Sequence, residues 1–276
     1  MDVFSADWLG ICRRAVAAQR AIFAATATSE ERTVYEGVGE GGDHTLAIDR
    51  RCEDVVFAEL DALAAQGASF VAVSEERGEV SFGSGGEARV VIDPIDGSLN
   101  ARRTIPSHSL SIALASGPAM ADVEFGFVHD FGADEEFVAR RGLGATLGDR
   151  AARVSAEAEK LEVVALESAE PEWSLPALRA LAGKAYRLRV VGSIAITASY
   201  VAAGRFDAML SLRSCRSVDA AAAQLIVREA GGEVAFADLT LDEATLDLDA
   251  RYPIAAACGA GALATVRAAQ AASSAV

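Results

Sequence analysis

The segment Asp93-Pro94-Ile95-Asp96-Gly97-Ser98-Leu99-Asn100 closes an apolar run, Val90-Val91-Ile92, with two carboxylates three positions apart. A buried strand does not end on two negative charges unless something positive satisfies them. Pro94 fixes the backbone between them, so Asp93 and Asp96 can converge on one point beyond the strand end. Gly97 and Ser98 then open a short turn whose backbone amides are able to receive a phosphate. Oxygen-only ligands of this kind suit hard divalent cations, Mg²⁺ above all. The plainer alternative is an acidic turn in which Asp96-Gly97 is ordinary turn chemistry.

Other carboxylates stand at comparable places. Glu75-Glu76 directly follows the apolar run Phe70 to Ser74, so it too lies at a strand end. Asp219 heads a predicted helix, where an N-cap role and a ligand role are both open. Asp43 and Asp49 flank His44-Thr45-Leu46, and Asp49, in a first helical turn, also has a dipole explanation. Together they supply the mixed Asp/Glu set that a multi-metal phosphoryl-transfer site requires. His44, His108 and His129 have no partner at metal-ligand spacing, and Cys12, Cys52, Cys215 and Cys258 form no CxxC pair, so both types read as structural, the thiols as buried and reduced.

The elements that must position these groups change character along the chain. Helical periodicity covers about 6–28 and 47–65, separated by a glycine-rich loop, 36–43. Strands follow at 69–74, 80–82 and 88–92, the last two reading as a hairpin split by Gly83 to Gly86, then at 109–115, 124–129 and 136–140. From about Lys160, strands at 162–166, 186–191, 207–212 and 253–258 alternate with helices at 173–182, 194–203, 219–230 and 261–272. The expected architecture is therefore mixed α/β: an α+β lobe over 1–155 carrying most of the acidic candidates, and an α/β lobe over 156–276 carrying Asp219, with a cleft between them.

A length of 276 residues with 51% hydrophobic composition allows two lobes with a substantial core. The formal charge of -15 speaks against unassisted binding of nucleic acid or of an anionic membrane, which needs clustered Lys and Arg. The N-terminus has neither the charge nor the apolar run of a signal peptide, and no stretch approaches a membrane span, so a cytoplasmic protein is expected.

The 93–100 segment resembles the D-P-[IL]-D-G-[TS]-x-N signature of the inositol monophosphatase superfamily. Asp219-Ala220-Ala221-Ala222 with Glu229-Ala230-Gly231-Gly232 resembles that family's C-terminal motif. Gly42 to Asp49, Ser74-Glu75-Glu76, and Val191-Gly192-Ser193 to Asp207 fall in the family's order and approximate spacing. The resemblance implies a layered α-β-α-β-α sugar-phosphatase fold and a Mg²⁺-dependent phosphomonoesterase with two or three Mg²⁺ per site. It implies that Glu75, Asp93 and the carbonyl of Ile95 hold one ion, and Asp93, Asp96 and Asp219 a second. By the same resemblance Gly97 and Ser98 bind the substrate phosphate through their amides, Ser98 and Asp49 activate the attacking water, a looser third ion lies near Glu75, and Gly192 and Ser193 line the substrate site. A homodimer and inhibition by Li⁺ are further implications.

Two departures bear on substrate. Ser217-Val218-Asp219 lacks the tryptophan that animal-type members carry before the C-terminal Asp, and Ser211 stands where they carry an inositol-gripping glutamate. Arg189, Arg213 and Arg216, with Arg187, stand in this region instead. They are similar to what the archaeal-type branch uses on inositol monophosphate and fructose 1,6-bisphosphate, since guanidinium binds phosphate bidentately. Surface ion pairing is the alternative for these arginines. Within the superfamily, 3'(2'),5'-bisphosphate nucleotidase and histidinol-phosphate phosphatase are the other activities, and a non-catalytic metal-binding relative is a third possibility.

Overall fold

The computed structural model describes residues 1–38 and 44–274; Asp43 and most of the glycine-rich loop lie outside them. Helices are α1 (Trp8–Ala25), α2 (Ser29–Arg32), α3 (Ala47–Ala65), α4 (Ser98–Arg102), α5 (Pro171–Leu181), α6 (Ile194–Ala202), α7 (Ser217–Glu229) and α8 (Ala260–Ser274). Strands in the first half are β1 (Tyr35–Val38), β2 (His44–Leu46), β3 (Phe70–Ser74), β4 (Gly78–Phe82), β5 (Arg89–Asp96), β6 (Ser109–Ala115), β7 (Val123–Asp130), β8 (Glu135–Arg140), β9 (Gly144–Leu147) and β10 (Arg150–Ala151). Those in the second are β11 (Leu161–Glu167), β12 (Ala185–Arg189), β13 (Ala208–Ser211), β14 (Cys215–Arg216), β15 (Glu233–Phe236), β16 (Arg251–Tyr252) and β17 (Ile254–Ala257).

Two sheets carry the fold, an eight-stranded one in the order β10-β9-β8-β7-β6-β5-β3-β4 and a five-stranded one in the order β12-β11-β13-β17-β15. Helices α1 and α3 cover the outer face of the first, α5 and α8 the outer face of the second, and α6 and α7 fill the space between the sheets. The result is the expected α-β-α-β-α layering. Its centre is a single apolar cluster that joins Val73, Val91 and Ala113 of the large sheet to Val218, Ala221 and Ala222 of α7 and to Met209 and Ala256 of the small sheet. The alanine run Ala220 to Ala223 lets α7 lie close to both sheets, because its packing surface is little more than backbone. A second cluster, with Trp8, Val56, Phe57, Phe70 and Phe127, fastens α1 and α3 to the large sheet. The four thiols are free and buried. No helix among the described residues is long and apolar enough to cross a membrane.

One strand pairing differs from expectation. Strands β4 and β5 do not form a hairpin: β4 turns back antiparallel on β3, and β5 lies parallel to β3 on its other side. Seven of the eight β5 residues are buried, so it needs a partner on each flank, whereas β4, with exposed Glu79 and Ser81, is suited to an edge. This order places Glu75 in the β3–β4 turn, next to the carboxyl end of β5.

Candidate metal and phosphate site

Helix α3 braces the turn that carries Glu75. Glu53, fully buried, accepts from the Ser74 hydroxyl, from the Arg77 amide at 3.2 Å and from Arg77 Nε at 3.0 Å. Asp49 stands four residues earlier and so on the same face of α3. Its Oδ2 accepts from the Leu46 amide at 3.3 Å, while Oδ1 is buried with no hydrogen-bond partner in the structure. Such an orphan acceptor points to a ligand or water that completes it. Burial, and then the charge of Glu76, push the Asp49 carboxyl up to about 7.

The end of β5 is irregular where chemistry was expected. The β5–β6 register runs evenly to the Asp93–Ser111 pair and shifts before the Asp96–Ser109 pair, since Pro94 has no N–H to continue the ladder. Asp93, 2% exposed, folds back so that Oδ1 accepts from the Ile95 amide at 3.0 Å. Asp219, in the first turn of α7, accepts from the Arg216 amide at 2.9 Å, so it satisfies the helix start while still facing the other carboxylates.

Glu75, Asp93 and Asp219 converge: one carboxylate oxygen from each lies within 4.8 Å of the other two. Burial raises all three carboxyls, Glu75 to about 8, and mutual repulsion raises Glu75 and Asp93 further. The charge of Arg216 offsets part of this on Glu75 and Asp219, and a bound cation would offset the rest. The donor set is oxygen only, and it fits Mg²⁺.

Asp96 is held differently. The hydroxyl of Ser193, the amide of Ala195 at 2.7 Å and that of Ile194 at 3.2 Å all donate to it, so its carboxylate sits on the first turn of α6. The structure thus brings three of the expected side-chain ligands together and ties the fourth to the start of α6. The Ile95 carbonyl accepts from Ser98 Oγ at 2.8 Å. Gly97, at φ 92°, begins α4, and a Cβ there would meet Ser107 O at 2.8 Å and Gly192 O at 3.0 Å. Asn100 Nδ2 donates to Ser107 O and Val191 O, locking this turn to the segment that precedes α6. Gly192, at φ 83°, is required there because a Cβ would lie 2.7 Å from Asn100 Nδ2.

The arginines divide. Arg216, expected to read substrate, is almost wholly buried, and its Nη1 lies 2.6 Å from Glu75 Oε1. The guanidinium pairs with a carboxylate of the acidic cluster, because β14 delivers it alongside Asp219. Arg189 is exposed, with Nη1 donating to the Leu188 carbonyl, and no contact among the described residues joins it to the cluster. Arg187 stacks on Tyr186 at 3.8 Å. Arg213 lies over the Trp173 ring at 4.2 Å, 3.5 Å from Glu170, and lines a cavity of about 920 Å³ with Ser168, Ser214 and Arg251.

Glu53 and Glu167 were missed by sequence reasoning. For Glu53 the signal was present, a carboxylate one helical turn from Asp49. Glu167 ends β11 and bonds the 191–197 segment. The histidines are structural as expected where described: His108 packs on Phe23 and Phe131, and His129 is pushed down to about 4 by burial and then by Arg20.

A family model for the inositol monophosphatase family matches residues 10–275. A fructose-1,6-bisphosphatase/inositol-1-monophosphatase of Methanothermobacter thermautotrophicus is 32% identical over 238 residues, covering 82% of this chain and 83% of that protein. An inositol-1-monophosphatase of Mesorhizobium japonicum is 34% identical, covering 71% and 73%. Among solved structures, an inositol monophosphatase-fructose 1,6 bisphosphatase superposes with a TM-score of 0.81 at 25% identity, over 96% of this chain and all of that one. An extragenic suppressor protein, suhB, of Bartonella henselae gives 0.78 at 28% identity, over 96% and 98%.

Proposed function

The chain belongs to the inositol monophosphatase family, and from that membership and the geometry of the acidic cluster we propose a Mg²⁺-dependent phosphomonoesterase. Its substrate class is a small phosphorylated sugar or polyol, inositol monophosphate and fructose 1,6-bisphosphate being the compounds named for its relatives. The observation that carries the reading is the convergence of Glu75, Asp93 and Asp219, with Asp49 near enough for its charge to raise Glu75.

In this reading Glu75, Asp93 and Asp219 hold the metal, with Asp96 and the Ile95 carbonyl completing a set for two or three ions. Bound Mg²⁺ supplies an acidified water and charge stabilisation for the phosphoryl group and its leaving oxygen. The protein supplies the remainder. The turn at Gly97 and Ser98 presents backbone amides to the phosphate oxygens. Ser98 donates its hydroxyl hydrogen bond to the Ile95 carbonyl and so keeps its oxygen lone pairs for a water, and Asp49, whose Oδ1 has no hydrogen-bond partner, is the residue assigned to take that water's proton. Direct attack by water needs no phosphoenzyme. Arg216 neutralises Glu75 and keeps it in place rather than touching substrate. The lobe over 156–276 contributes Asp219 and, through Gly192, Ser193 and Arg213, the wall against the sugar. A homodimer and a cytoplasmic address are part of the same proposal, supported only by the resemblance to the family.

The test is phosphate release from inositol 1-phosphate and fructose 1,6-bisphosphate, with Mg²⁺ and with excess EDTA. Metal-dependent turnover is expected on at least one. A folded, Mg²⁺-loaded protein inert on both and on a broad panel of phosphomonoesters would sink the reading.

A further inference from the structure

A buried carboxylate stands at the carboxyl end of β11, outside the acidic cluster. Glu167 is 1% exposed, and both neighbours of its strand, β12 and β13, run parallel to it. The chain leaves β11 toward β12 on one side and later returns to β13 on the other, which is where parallel strands open a crevice for ligands. Glu167 spends its hydrogen bonds on one segment: Oε1 accepts from the Val191 amide at 3.2 Å and from Thr197 Oγ1 at 2.7 Å, and Oε2 from the Gly192 amide at 2.9 Å.

The same segment faces Asp96 on its other side, through the Ser193 hydroxyl and the amides of Ile194 and Ala195. Asn100 holds its carbonyls at Val191 and Gly192. One short stretch of backbone is therefore gripped by Glu167 and in turn grips Asp96. Only a carboxylate can accept on both oxygens; a glutamine would set an NH₂ donor against one of the donors that now point at Glu167.

We propose that Glu167 is a positioning residue for Asp96, fixing through residues 191–195 where that carboxylate stands relative to Glu75, Asp93 and Asp219. This rests on the reading of Asp96 as a metal ligand. Glu167 touches neither metal nor substrate and acts only through the segment it holds.

The experiment compares Glu167→Gln, Thr197→Val, Asp96→Asn and the doubles with Asp96→Asn. It measures Mg²⁺ affinity by calorimetry on metal-free protein, melting in EDTA, and kcat and KM separately. Glu167→Gln is expected to weaken Mg²⁺ binding and lower kcat, each by about tenfold, as loss of a residue orienting a ligand does. KM should stay within about twofold, since the lesion lies in metal placement and leaves uniform substrate binding intact. Thr197→Val, which removes one donor, should act in the same direction more weakly, and it carries the test if Glu167→Gln fails to fold. In the Asp96→Asn background neither change should weaken Mg²⁺ further, because the group they position is gone. A lower melting temperature with unchanged Mg²⁺ affinity and kcat would reduce Glu167 to a structural residue. Full additivity with a metal-impaired Asp96→Asn would overturn positioning while leaving Asp96 a ligand. Asp96→Asn with the affinity of the parent would overturn the ligand reading itself, and the proposal with it.

Discussion

The acidic cluster at the end of β5 and the arginine-bearing region from Arg187 to Arg213 are both rich in charge, and they are built on opposite principles. In the first, Asp49, Asp93 and Asp96 are buried and Glu75 and Asp219 nearly so, with their carboxyls raised by desolvation. In the second, Arg187 and Arg213 lie exposed over the rings of Tyr186 and Trp173. Buried carboxylates that outnumber their close counter-charge, Arg216, leave a deficit that an ion would complete. An exposed guanidinium on an aromatic face is already satisfied, and adds to a site only what a ligand can draw from it. Function should therefore fail steeply when the first region is altered and shallowly when the second is.

The steepest failure is expected at Asp93. Asp93→Asn should abolish measurable Mg²⁺ binding and lower turnover by about a thousandfold or more, equivalent to ~4 kcal/mol of transition-state stabilisation. The same variant should melt higher than the parent in EDTA, because it removes one of three mutually repelling carboxylates. Calorimetry with Mg²⁺ and melting in EDTA check both halves. A substitution that kills activity yet stabilises the metal-free protein separates this cluster from an ordinary core.

Asp49→Asn comes next. It keeps shape and burial but removes the acceptor that would take a proton, so kcat should fall by about a hundredfold or more while Mg²⁺ affinity changes little. Parallel losses in kcat and metal affinity would instead make Asp49 a ligand.

The pH dependence of the metal-free protein is a third test of the contrast. Asp49, Asp96 and Glu167 are raised to about 7 and Glu75 to about 8, chiefly by burial. A carboxyl whose folded pKa lies above its unfolded value binds protons more tightly when folded. Its contribution is fully present below pH 4 and is lost as pH rises toward 8. His129, pushed down to about 4, works the other way, stabilising at higher pH and losing that as pH falls from about 6.5. With four or more carboxyls against it, melting in EDTA should drop between pH 5 and pH 8 by about 5 °C or more. Saturating Mg²⁺ should remove most of that slope, adding about 2.7 kcal/mol at a hundredfold excess over its Kd. A flat profile in EDTA would mean the carboxylates are offset without metal.

How much of this was legible in sequence follows the same division. The D-P-I-D-G-S run and Glu75 announce themselves because each is a carboxylate at the end of an apolar element, a local conflict visible in a handful of residues, whereas Asp219, at a helix start, was singled out as a ligand only by the family resemblance. The mixed α/β character was legible from the switch of periodicity near Lys160, whereas the five layers came only with the family resemblance. The β4–β5 hairpin was misread because two short runs and a glycine loop look alike whether the strands pair with each other or flank a third. The partners of Asp96 and Glu167 were not legible at all. Four are amides, of Val191, Gly192, Ile194 and Ala195, 95 and more residues from Asp96, and a backbone N–H carries no side-chain signature; the Ser193 and Thr197 hydroxyls reach the carboxylates only through the fold. Arg216 was seen as a cation near the site, but its pairing with Glu75 became visible only in the structure.

The smallest expected effect belongs to Arg213, and it decides what the arginine region is for. Its guanidinium is mostly exposed, lies on Trp173 and is only 3.5 Å from an equally exposed Glu170, a pair worth little in water. Removing it should leave stability within about 0.5 kcal/mol. If it reads a second phosphate across the 920 Å³ cavity, Arg213→Ala should raise KM for fructose 1,6-bisphosphate by about tenfold, a charge-assisted contact of roughly 1.4 kcal/mol. KM for inositol 1-phosphate, with no second phosphate to lose, should hold within about twofold. Equal shifts on both substrates would make Arg213 a wall of the cavity, and no shift on either would return it to the surface. Arg213→Lys distinguishes charge from shape: a lysine keeps the charge but not the planar fork over Trp173, so only partial recovery on the bisphosphate is expected.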